Sequence, residues 1–295
     1  MSKLIDGKAT SKKVKKRIAA EVAKIIDNDD KAPHLVAVLV GADPASEFYV
    51  KSKEKACREV GITSSIYKHS AKTTESELLE IIEFLNNDPE VDGFIVQLPL
   101  PEHINVDRVI DRINPAKDVD GFHPMNIGKM VLGTDTYLPA TPAGIMMLIE
   151  EYKIETSGKN IVVLGRSNIV GTPISIMLSR KSNPGNATVT LCHSRTENLK
   201  EITAQADIII AAIGQAEFLT ADMVKKGVVI IDVGIHRVED KTKQKGYRIT
   251  GDVAFDEVSK KASLITPVPG GVGLMTIAAL LENTLKASKK EVYRK

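Results

Sequence analysis

Residues 161–173 read IVVLGRSNIVGTP. An apolar run ends at Gly165, and Gly171 opens the next element. A buried strand, a glycine turn and a helix in that order form an α/β unit whose backbone N–H groups can face a phosphate. Ser167 stands where G-x-G-x-x-G would have its second glycine, so a plain tight turn also fits this stretch taken alone.

The reading extends outward from that turn. ATVTLC (187–192) is a strand that runs into His193, Ser194 and Arg195. A site for NAD calls for Asp or Glu here to hold the ribose hydroxyls, and there is none. Arg166, Ser194 and Arg195 suit a 2′-phosphate instead, so NADP is the expected cofactor. Arg195 equally fits a surface position. Helices are expected at 169–181, 196–205, near 220–226 and at 278–290, with strands at 207–214 and 228–235. Cys192 and His193 have no third metal ligand spaced nearby, so no metal site is expected.

A first set of elements precedes this one. Val14, Ile18, Val22 and Ile25 fall on one face of a helix. The basic residues around them, Lys12 to Arg17, read as a solvated face before they read as a phosphate patch. HLVAVLVG (34–41) is a buried strand, 45–60 a helix stopped by Gly61, and 62–68 a strand. Thr74 and Glu77 form a capping box for a helix at 75–86. DGFIVQLPL (92–100) is a strand, and 105–113 a short helix. Continuously apolar strands separated by helices imply parallel sheets covered on both faces. The fold class is therefore α/β, with two doubly wound domains divided near 139–142, the second of them Rossmann-type.

Three features of the first set bear chemistry. On the helix 45–60, Lys53 is the single charged residue on the stripe of Tyr49, Ala56 and Val60. An ammonium there is either a proton-transfer or electrostatic group, with Tyr49 one turn away, or a snorkelling lysine with a wet tip. Gln97 interrupts an apolar strand at the end where α/β ligands bind, and Lys53 is a reasonable partner for it. DVDGFHP (118–124) could hold a divalent ion, an amino-pyrimidine-like ring, or simply a turn. TPVPGGVG (266–273) is a glycine loop whose ligand the spacing does not define.

Composition narrows the classes. The chain has 295 residues, about two domains' worth at roughly 150 each. Forty basic against 38 acidic residues disfavour a nucleic-acid binder, and the absence of Trp disfavours a single-strand stacking platform. Two cysteines exclude a disulfide framework. With no apolar run near ~18 residues and no signal-peptide core, no membrane association is expected, and the cytoplasm is the expected location.

Together these stretches resemble the bifunctional methylenetetrahydrofolate dehydrogenase/methenyltetrahydrofolate cyclohydrolase family. The matches are Tyr49 to Lys55, Val96 to Pro101, Asp118 to Pro124, Gly165 to Gly171, Cys192 to Ser194, Asp232 to Ile235, Gly251 to Val253 and Thr266 to Gly273, in the family's order. The resemblance implies a folate-binding catalytic domain of residues 1–139 plus 275–295, to which the C-terminal helix returns, and an NADP-binding domain of 140–274. It implies oxidation of 5,10-methylenetetrahydrofolate with NADP and hydrolysis of the methenyl product to 10-formyltetrahydrofolate. Lys53, Gln97, Tyr49 and Asp120 would carry the chemistry, with Asp120 on the pterin ring. Val96 and Leu98 beside Gln97, and Pro269, Gly270, Gly271, Val272 and Gly273, would line the tetrahydrofolate site. Gly165, Arg166, Ser167, Ser194, Arg195 and Ile235 would hold NADP. A homodimer is expected by the same resemblance. The family commonly has Cys where this chain has Ala140, and Pro where it has Leu274, so no thiol acts at the first position and the loop at the second is less stiffened. A dehydrogenase without effective cyclohydrolase activity is the alternative, and Lys53 and Gln97 argue against it.

Overall fold

The computed structural model describes residues 3–243 and 246–293. In chain order the elements are β1 (Lys3–Leu4), α1 (Gly7–Asp27), β2 (His34–Val40), α2 (Pro44–Val60), β3 (Thr63–His69), α3 (Glu75–Asn87), β4 (Gly93–Val96), α4 (Val106–Arg112), α5 (Pro124–Leu132) and α6 (Ala140–Glu151). Then follow β5 (Asn160–Leu164), α7 (Gly171–Ser179), β6 (Thr188–Cys192), α8 (Leu199–Gln205), β7 (Ile208–Ala211), β8 (Val229–Asp232), β9 (His236–Glu239), β10 (Tyr247–Thr250), α9 (Phe255–Val258), β11 (Leu264–Ile265) and α10 (Val272–Ser288). The chain divides into two units. One takes residues 12–140 and those from Ile277 on; the other takes residues up to Ser11 and Thr141–Thr276.

The unit of residues 12–140 is built on a three-stranded parallel sheet, β3-β2-β4. β2 is buried along nearly its whole length because it is the central strand with helices over it. Val36, Val38, Leu78, Ile82, Leu85, Phe94 and Val109 form the core between this sheet, α3 and α4. The capping box is present: Glu77 N–H donates to Thr74 Oγ1, and Thr74 N–H donates to Glu77 Oε2. The basic face of α1 is a solvated one, with Lys15 paired to Glu59 and Arg17 to Glu282.

The other unit holds a six-stranded parallel sheet, β1-β11-β8-β7-β5-β6. Numbered from β5 and leaving β1 aside, the order is 2-1-3-4-5, a doubly wound parallel sheet whose strand order reverses between β5 and β7. Val162, Leu164, Ile209, Ala211, Ile230 and Ile265 form its core.

Several elements differ from their sequence-based bounds. Residues up to Ser11 group with 141–276, because Lys3 and Leu4 pair with Leu264 and Ile265 and add the sixth strand. The strand expected at 92–100 ends at Val96, since the prolines that follow have no N–H to donate. The helix expected near 220–226 is one 3-10 turn, Ala221–Met223. The strand 207–214 stops at Ala211, and the last helix begins at Val272.

Candidate active site

The first polar cluster starts on α2. Asp43 caps this helix by accepting from Ser46 N–H at 2.7 Å, and Pro44 fits the first position, where no N–H is needed. Gly61 closes it at φ 80°. Ser46, Val50, Cys57 and Val60 are its buried line, and Lys53 falls between Val50 and Cys57 on that line. Lys53 is half-buried, and its Nζ donates to Gln97 Oε1 at 3.1 Å. Gln97 Nε2 donates to the Leu98 carbonyl at 2.7 Å, which fixes the amide with its oxygen toward the ammonium. Gln97 N–H still reaches Val38 O, so the residue is the last rung of the β4–β2 ladder. Tyr49, one turn before Lys53, is half-buried, and burial raises its phenol pKa, so it stays protonated. Burial likewise pushes the neighbouring Cys57 thiol up to about 12.

Asp118 builds the loop that carries Asp120. Its buried carboxylate accepts from the backbone N–H of Gly121 and Phe122 at 3.2 Å and of His123 at 2.8 Å, and from Asn126 Nδ2 at 2.8 Å. The segment bridges to β4 at Phe94, so it lies alongside the strand that leads to Gln97. Gly121, at φ 74°, passes so close to the Leu138–Pro139 peptide that a Cβ would overlap it. Asn283 of α10 donates to Val119 O and Leu138 O, both at 2.9 Å. The Asp120 carboxylate, in contrast, accepts no hydrogen bond from the described residues. Burial raises its pKa, and the Lys53 charge pulls it back. A half-buried carboxylate with a cation in range and no donor of its own is a ready acceptor for a ligand's N–H groups. Among the described residues no group of three or more His, Cys, Asp or Glu could hold a metal ion.

The second cluster belongs to residues 141–276. Gly165, at φ 105°, leaves β5 at the point where the sheet reverses, and a Cβ there would overlap Ala212 O. A Cβ on Gly171 would overlap Gly165 O. Both glycines are thus required by backbone approach, which makes the turn tight. Ser167 Oγ accepts from Val170 and Gly171 N–H at 3.2 and 3.4 Å, so this hydroxyl is spent in part on the turn itself. Arg166, Ser194 and Arg195 are exposed at the carboxyl ends of the neighbouring strands β5 and β6. The two guanidinium groups have no protein acceptor among the described residues. Burial raises the Cys192 thiol pKa, which keeps it a thiol.

Two buried carboxylates brace the next loops. Asp252 accepts from Ile213, Gly214 and Gln215 N–H at 2.7, 3.1 and 3.0 Å and meets His236 Nε2 at 2.6 Å. Asp232 accepts from Gly234, Asp252 and Val253 N–H, yet burial raises it to about 7. Together they hold the exposed Ile235 in place, and a Cβ on Gly273 would stand 3.0 Å from Ile235 Cδ1. The stretch Pro269–Gly273 therefore lies next to Ile235 within this unit. Val96 and Val272 are buried in hydrophobic packing. Asn126, Tyr293 and Asp252 have structural parts that their sequence positions do not announce.

Known proteins share these features. A sequence model described as the tetrahydrofolate dehydrogenase/cyclohydrolase catalytic domain matches residues 5–120, and one described as the NAD(P)-binding domain of the same enzymes matches 139–292. A Bacteroides fragilis protein named bifunctional protein FolD is 57% identical over 99% of both chains. The crystal structure of a bifunctional FolD methylenetetrahydrofolate dehydrogenase/cyclohydrolase from Campylobacter jejuni aligns with a TM-score of 0.92 at 49% identity, over 99% of this chain and 100% of its own. A Trypanosoma brucei methylenetetrahydrofolate dehydrogenase-cyclohydrolase, solved with NADP and an inhibitor, aligns at 0.93 with 36% identity over 99% of each chain. Matched in both its parts and along nearly its whole length, the chain belongs to the tetrahydrofolate dehydrogenase/cyclohydrolase family.

Proposed function

We propose that the protein oxidises 5,10-methylenetetrahydrofolate to the methenyl form with NADP, and hydrolyses that product to 10-formyltetrahydrofolate. The observation that carries this reading is Lys53 Nζ, held by Gln97 Oε1 at 3.1 Å on the unit where the donor-free Asp120 carboxylate feels its charge. Asp120 accepts the amino-pyrimidine N–H groups of the pterin, and Tyr49 stacks on or hydrogen-bonds the folate. Arg166, Ser194 and Arg195 take the 2′-phosphate of NADP, with Gly165 and Ser167 under the pyrophosphate; the exposure of the first three, and the lack of an acceptor for either guanidinium among the described residues, support this. The bound nicotinamide supplies the hydride acceptor. Ile235 and the Pro269–Gly273 stretch hold the reactants in register, and the folate nitrogens spread the positive charge left on the bridging carbon.

Hydrolysis asks more of the side chains. Water adds to the cationic methenyl carbon and one carbon–nitrogen bond breaks; one of the water's two protons passes to the leaving ring nitrogen, and the other is released to solvent as the positive charge is lost. Lys53 moves that proton, and Gln97 keeps Nζ in place. Lys53→Met is expected to lower methenyl hydrolysis by ~100-fold or more while NADPH formation stays measurable. Equal loss of both activities in separate assays would defeat the assignment. The same reading makes the protein a cytoplasmic homodimer joined through the NADP-binding domains, supported by the family resemblance; sedimentation would give its mass in solution.

A further inference from the structure

The Asp120 carbonyl accepts from Ala140 N–H at 3.2 Å, but its carboxylate has no donor among the described residues, so the position of that carboxylate depends on the loop around it. That loop is held by Asp118, and Asp118 is held by Asn126. Asn126 is fully buried, and its side-chain oxygen accepts from two hydroxyls: Thr136 Oγ1 at 2.8 Å and Tyr293 Oη at 2.6 Å. An amide oxygen engaged in this way leaves only the NH₂ group to face outward, and Nδ2 donates to Asp118 Oδ2 at 2.8 Å and to Pro115 O at 3.1 Å. Rotated by half a turn, the amide would set its oxygen against a carboxylate. Tyr293 lies beyond the end of α10, in the C-terminal tail. Lys129 Nζ stands 3.9 Å from its ring centroid, and the buried Tyr137 ring packs at 5.9 Å.

We propose that Tyr293 is a positioning residue for the folate-binding carboxylate: through Asn126 and Asp118 it fixes the 121–123 backbone and so sets where Asp120 meets the pterin. The inference rests on the folate reading above and assigns a catalytic-site task to the C-terminal tail. Tyr293 touches no substrate and moves no proton. Thr136 backs up the same amide oxygen, so loss of the Tyr293 hydroxyl loosens the loop without releasing it.

The test uses the full chain and two variants. Tyr293→Phe keeps the ring on Lys129 and removes only the hydroxyl; Tyr293→Ala removes both. Tyr293→Phe is expected to raise KM for 5,10-methylenetetrahydrofolate roughly fivefold, as one lost hydrogen bond would. KM for NADP⁺ and the thermal midpoint are expected to stay near those of the parent protein, with a larger folate effect in Tyr293→Ala. A merely structural tail would lower the midpoint and leave folate KM alone. Folate KM within twofold of the parent in both variants, or an equal rise in both KM values, would overturn the inference. Tetrahydrofolate binding by calorimetry on the parent protein separates the two levels. A parent that neither turns over nor binds sinks the folate reading and this one with it; an active parent with unchanged variants sinks this one alone.

Discussion

Asp120 shows at the scale of one residue how function opposes stability. Asp118 beside it is more deeply buried and its pKa is also raised by burial, but four donors offset part of that cost. The Asp120 carboxylate has no donor among the described residues; burial raises its pKa, the Lys53 charge offsets part of that, and the Asp118 charge adds to it. A carboxyl whose folded pKa lies above its unfolded value of about 3.9 weakens the native state progressively as pH climbs from the unfolded value to the folded one. Asp120→Asn removes that charge. Its thermal midpoint is expected to exceed the parent's at pH 7.5, by the few degrees that ~1 kcal/mol gives a protein of this size, and to match it near pH 4. Tetrahydrofolate affinity falls at the same time. A midpoint gain of equal size at both pH values would contradict the electrostatic account. Lys53 and Gln97 were legible in the sequence because each breaks an apolar pattern, one on a helix stripe and one in a strand. Asn126 and Tyr293 were not, because a satisfied buried amide in a Gly- and Pro-rich stretch, or a tyrosine past the last helix, contrasts with no periodic background.

At the scale of elements, the turn between β5 and α7 is the most tightly determined. Gly171→Ala would drive a methyl group into the Gly165 carbonyl oxygen, so it is expected to cost ~2–4 kcal/mol and to weaken NADP binding. Gly128 is its control. It lies inside α5 with no atom within 4 Å of a Cβ, and Gly128→Ala is expected to stabilise by ~0.5–1 kcal/mol through helix propensity. Denaturant midpoints of the two variants measure both, and a stable, NADP-competent Gly171→Ala would contradict the packing argument. Strands and helices with a clear apolar period were legible to within a few residues. α6 was hidden by Pro142 and Gly144. The proline sits in the first turn, where its missing N–H costs nothing, and the glycine is needed because the Met275 backbone lies against it. α5 carries a start signal in Pro124 and a stop in Gly133, but it is only nine residues long and lies among prolines and glycines that blur its period. The β9–β10 hairpin alternates weakly and is joined by a charged segment, so neither strand stood out.

At the scale of the whole molecule, two parallel sheets followed from the alternation of apolar strands with helices. The placement of the first strand did not, because a two-residue pairing of Lys3 and Leu4 with β11 leaves no periodic trace. This one chain is expected to carry both an oxidation and a hydrolysis of the same folate. The most direct measurement mixes purified protein with 5,10-methylenetetrahydrofolate and NADP⁺ and follows NADPH and the methenyl absorbance together, against an enzyme-free control for hydrolysis. NADPH is expected to rise while methenyl accumulates far less. NADPH with stoichiometric methenyl build-up, or no NADPH at all, would contradict it.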